Sequence, residues 1–157
     1  MLRIALFVIL LVAAAVYALR KGGGPERAMA MILLAMAASD QILHLFIPAR
    51  FLQVDTGHLL IDVLAAAATL ILALKAYRFW PLIAGSLQLL PLVAHSTRAI
   101  DIALDPIAYL TMQVAASWLL PPLLALGTWR HQRRIRQTGS EPSWVGSSTA
   151  AAPTAIA

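Results

Sequence analysis

The apolar positions of this chain fall into five long blocks separated by short breaks rich in charge, glycine or proline. A helix of ~20 residues reaches ~30 Å, the thickness of a hydrocarbon core. The pattern predicts five membrane helices over residues 2–19, 28–47, 58–77, 81–99 and 106–129. Arg20, Lys21, three glycines and Pro25 stop the first; Pro48 closes the second. Asp55, Thr56 and Gly57 form a turn before the third, Pro81 opens the fourth, and Asp105 and Pro106 suit the cap and first turn of the fifth.

Composition agrees with that pattern and narrows it. Of 157 residues 61% are hydrophobic and 12% are charged, roughly half the ~25% charged content of soluble domains. Too little polar surface remains to coat a soluble globule of this size. The expected class is all-α: a multi-pass transmembrane helical bundle over residues 1–136, followed by a polar, disordered cytoplasmic tail over 137–157. With no cysteine in the chain, disulfides, thiolate metal sites and cysteine nucleophiles are excluded. The excess of arginine over lysine and the abundant alanine suggest a bacterial source.

Charge placement then sets an orientation. Assigning alternate connections to opposite sides collects Arg20, Lys21, Arg27, Lys75, Arg78, Arg130, Arg133, Arg134 and Arg136 on one side. The other side holds Arg3, Arg50 and Arg98. The positive-inside rule puts the first group in the cytoplasm, so the N-terminus is out and the C-terminus in, across a bacterial inner membrane. Trp80 and Trp129 then fall at the cytoplasmic interface. A cleavable signal peptide over residues 1–18 is the alternative, with Val16 and Ala18 at the cleavage site. It would place the nine cations outside, against the rule. The net charge of +5 is explained by this topology, with the lipid bilayer as partner and no nucleic acid expected. Arg130 to Arg136 reads as an anchor to anionic lipid.

The acids are distributed differently. All five aspartates lie in the outer half or its loops, and Asp40 and Asp62 lie within spans. An ionisable residue at a membrane helix centre costs ~2.5–3.5 kcal/mol on insertion scales, so each needs a partner or a task. His44 stands one turn from Asp40, and His58 one turn from Asp62. His95 and Arg98 reach the same level on the fourth segment, and Tyr109, Gln113 and Ser117 form a stripe on the fifth. Asp40, His44, His58, Asp62, His95, Arg98, Tyr109 and Gln113 are expected to form one polar pocket near the periplasm.

Four chemistries fit such a pocket. It can be a structural network, with the aspartates paired to Arg98 and the histidines, in a small accessory membrane protein within a larger complex or a homo-oligomer. It can bind a proton, an ion or a small ligand. His44, His58 and His95 can supply three nitrogens to zinc, with Asp62 or Asp40 as fourth ligand or general base, giving an intramembrane metal-dependent hydrolase. Two of the histidines can hold haem b. Elsewhere, His131 reads as a solvated interfacial residue, Glu26 and Glu141 as loop acids outside the spans, and Trp118 as lipid-facing or packing.

Overall fold

The computed structural model describes residues 2–46, 56–100 and 106–146. Five helices account for nearly all of them: α1 (Leu2–Lys21), α2 (Gly24–Phe46), α3 (Thr56–Lys75), α4 (Trp80–Ala99) and α5 (Pro106–Thr138). Helices α1, α2 and α3 are long and apolar enough to cross a membrane. Many of their large apolar side chains face outward, including Leu6, Ile9, Leu64 and Leu74. That is the surface a bilayer requires and water would penalise.

Successive helices run antiparallel and close into a ring, with α1 against α2 and α5, α3 between α2 and α4, and α4 against α5. One end of the bundle carries Lys21, Lys75 and Arg78; the other carries Arg3, His44 and His58. The α1–α2 connection is only Gly22 and Gly23. A Cβ on Gly22 would collide with the carbonyl oxygen of Ala18 and the Cβ of Glu26, so this tight reversal requires glycine.

The core sits toward the basic end. Leu11, Ala14, Ala15 and Ala18 occupy one face of α1 at helical spacing and are buried. They belong to one cluster with Met29, Ala30 and Leu33 of α2, Leu72 of α3, Trp80 of α4, and Leu120 and Leu124 of α5. Small alanines let these backbones approach closely, as in membrane helix packing. The Trp80 ring lies over Gly127, where an added Cβ would stand 2.8 Å from the indole.

Three boundaries differ by more than two residues from the sequence expectation. Helix α2 starts at Gly24 rather than residue 28, because Pro25 fits a first helical turn and leaves no donor unpaired there. Helix α5 continues past residue 129 to Thr138, since its Arg- and Gln-rich continuation forms helix readily once outside the apolar span. The tail expected to be disordered from residue 137 is ordered to Gly146. Ala76 and Trp144 form an antiparallel bridge, in which Tyr77 donates its N–H to the Ser143 carbonyl at 3.1 Å and Val145 donates to that of Lys75 at 2.9 Å. Residues 147–157, Asp55 and Asp105 lie outside the described residues.

Candidate functional site

At the end away from the core, the one-turn spacing of Asp40 and His44 puts both on one side of α2. Helix α3 faces them with His58, four residues before Asp62. His58 Nε2 stands 3.1 Å from Asp40 Oδ1, and the His44 and His58 rings meet edge to face at 5.1 Å between centroids. One donor atom from each of Asp40, His44 and His58 lies within 4.8 Å of the other two. Among the described residues this trio has the spacing a metal ion could close upon. Its members are half-buried or exposed rather than sealed in the bundle.

Asp62 turns to the opposite neighbour. Its Oδ2 lies 3.1 Å from Nε2 of His95 on α4, and His95 is 1% exposed. The polar layer therefore crosses the bundle as two units on α3: His58 toward α2 and Asp62 toward α4. The set His44, His58 and His95 does not meet as one triad, because His95 is held by Asp62 instead. The side chains of Arg98, Tyr109 and Gln113 lie outside the described residues. Gln88, deeper on α4, is fully buried and donates its amide to the Met36 sulfur at 3.7 Å.

Beside the Asp40–His44–His58 group, helices α1, α2, α3 and α5 part around a groove of about 1100 Å³, just above the ~300–1,000 Å³ usual for small-molecule sites. Phe7, Leu11, Leu33, Leu34, Trp118 and Leu120 are among its apolar walls. Trp118 lines the groove, with the Phe7 ring 5.6 Å from its own. Asp40, His44, His58 and Asp62 gather at one side of this space, and Arg3 and Gln41 also reach it. The groove is thus polar toward the helix ends and apolar toward the core.

A second polar assembly, at the basic end, went unseen in the sequence. Glu26 is fully buried, with Oε1 2.9 Å from Arg78 Nε. Its oxygens also accept the Trp80 indole N–H at 3.2 Å and the Gly23 backbone N–H at 3.0 Å. Arg78 reaches onward from Glu26 to pair with Glu141, whose second oxygen lies 2.5 Å from His131 Nδ1. Arg134 adds a contact of 2.9 Å to Glu141 from the solvent side. His131 is 6% exposed, so the solvated position expected for it is incorrect: Glu141 and Arg78 enclose it. With a proton on Nδ1 it donates to Glu141; without one, the same nitrogen accepts from Arg78 Nη2 at 3.0 Å. Burial pushes the Glu141 carboxyl up, but hydrogen bonds from His131 and Arg78, the Arg78 charge and Arg134 outweigh it and hold the group below 4.5. The signal was present: Glu26 and Glu141 are the two acids on a side with nine cations.

Compared with family models, curated proteins and solved structures, the chain matches none.

Proposed function

We propose that this chain is a five-span bacterial inner-membrane protein, N-terminus outside and C-terminus in the cytoplasm, that binds a membrane-soluble amphiphile in the groove. The observation carrying this reading is the groove's polarity. The part beside the alanine-rich core is apolar, while the part near the helix ends carries the imidazoles of His44 and His58, the carboxylates of Asp40 and Asp62, and Arg3 and Gln41. An apolar chain would lie along Leu33, Leu34 and Phe7, and a hydrogen-bonding headgroup would meet Asp40, His44 and His58. The nine-to-three division of cations supports the orientation, and hence a mouth toward the periplasmic leaflet. Asp62 and His95 tie α3 to α4 behind the mouth and act as its structural support.

Extraction and mass spectrometry of protein purified in mild detergent test this reading. A near-stoichiometric amphiphile of one class is expected, depleted in Ala37→Trp, which fills the groove from α2. Equal recovery from both proteins would contradict it.

A second reading is favoured by the 4.8 Å grouping of Asp40, His44 and His58. Two imidazoles and one carboxylate form a common zinc or iron ligand set with open positions for water or substrate. Metal–nitrogen bonds of ~2.0–2.1 Å need the donors drawn closer, which rotation of the exposed His44 would supply. Cobalt titration followed by visible absorption tests it: a tetrahedral spectrum lost in His44→Ala and His58→Ala supports a site, and a flat titration removes it.

A further inference from the structure

The length of α5 beyond the apolar span has a consequence separate from the groove. At ~1.5 Å per residue, its 33 residues reach ~50 Å, well past the ~30 Å hydrocarbon thickness. The overhanging turns present two faces. His131, buried, and Arg134, from the solvent side, both contact Glu141. Trp129, Gln132, Arg133 and Arg136, at i, i+3, i+4 and i+7, share the other face, toward α1.

There they enclose a notch of about 200 Å³ with Tyr17 and Lys21 of α1. Gln132 donates its side-chain amide to the Lys21 carbonyl, which pins the end of α1 to α5. The Arg133 guanidinium sits over the Trp129 ring, 5.7 Å from its centroid. Among the described residues three cations and no acid line the notch; Glu26 and Glu141 are engaged with Arg78 and its neighbours. The two aromatics lie where the apolar part of each helix ends, the level of lipid headgroups.

We propose that this α1–α5 notch binds the headgroup phosphate of an anionic phospholipid, with Lys21, Arg133 and Arg136 as the charge partners and Tyr17 and Trp129 against the glycerol and upper chain. A basic pocket between helices at the membrane surface has the charge and shape for this ligand. A guanidinium recognises phosphate through paired N–H donors. The aromatic walls and the position at the span ends favour a lipid over a free anion or a nucleic acid.

Native mass spectrometry of the full chain in mild detergent tests the assignment, with phosphatidylglycerol, phosphatidylethanolamine, inorganic phosphate and a short oligoribonucleotide as separate additions. Phosphatidylglycerol should saturate one site in preference to phosphatidylethanolamine, and neither phosphate nor the oligonucleotide should displace it. Lys21→Ser and Arg133→Ser should each weaken it about fivefold. Arg20→Ser removes an exposed cation of α1 outside the notch and should leave binding unchanged. Circular dichroism checks that each variant is folded. Equal binding of the two lipids, or an equal loss in Arg20→Ser, would overturn a built site. Displacement by phosphate would make it a free-anion site, and displacement by the oligonucleotide a nucleic-acid surface; either overturns the lipid assignment.

Discussion

Removing Arg78 should destabilise the protein more than removing any exposed charge. Its side chain is 4% exposed and lies between Glu26, which is fully buried, and Glu141, at 6%. In Arg78→Met the aliphatic volume is largely kept, so the change isolates the charge. Among the described residues Glu26 then retains the Trp80 indole and the Gly23 amide as donors, and Glu141 retains His131 and Arg134. A charge pair at about 3–4 Å is worth about 4–6 kcal/mol at an effective dielectric of ~20, before desolvation. Breaking a buried pair on one side typically costs about 3–5 kcal/mol. We therefore expect a loss of about 3–5 kcal/mol, or two to four orders of magnitude in the unfolding equilibrium. Denaturation in mixed detergent–SDS micelles, followed by tryptophan fluorescence, measures it, and Trp80 reports directly on Glu26. Adding Glu26→Gln should recover part of the loss, because the buried charge is gone. A cost below about 1 kcal/mol, the range of exposed ion pairs, would refute the buried network.

Further outcomes follow from the same contacts. The Glu141 carboxyl lies below 4.5 in the folded protein, so the fold binds fewer protons there than the unfolded chain. Its stabilisation is complete above about 4.5 and is lost as pH falls through the lower folded value; a pH series of melts should show this decline, flattened in Glu141→Gln. Asp62→Ala leaves the His95 Nε2 without its carboxylate at a nearly inaccessible position, and should cost about 1–3 kcal/mol in the same denaturation assay. Gly127→Ala places a methyl 2.8 Å from the Trp80 ring; a loss of about 1–3 kcal/mol and a changed Trp80 emission are expected.

The helices were legible because a membrane demands long apolar runs, and the glycine, proline and charge breaks punctuate them. All five segments are helices close to their predicted places. Pairing between helices was less legible, because spacing along one helix says nothing about which neighbour it faces. Asp40–His44 and His58–Asp62 were visible as one-turn pairs, but whether His95 joined His58 or Asp62 depends on how α3 is rotated between α2 and α4. The basic-end network was missed for a different reason. Its members run from residue 26 to 141: Glu26 opens α2, Arg78 lies in the α3–α4 connection, His131 and Arg134 sit on the last turns of α5 and Glu141 follows it, all beyond the apolar runs, where side chains usually reach water. The return of residues 140–146 onto the α3–α4 connection brings Glu141 to Arg78 and His131 and completes the network.

The reading of the groove as an amphiphile site is tested most directly by photolabelling. A fatty-acid probe carrying a diazirine on its chain would be crosslinked in native membranes, and the labelled peptides mapped. Saturable labelling concentrated on Phe7–Leu11 and Leu33–Ala37, and abolished in Ala37→Trp, is the predicted result. Labelling spread over outward-facing positions such as Leu64 and Leu74, and unchanged by Ala37→Trp, would contradict it.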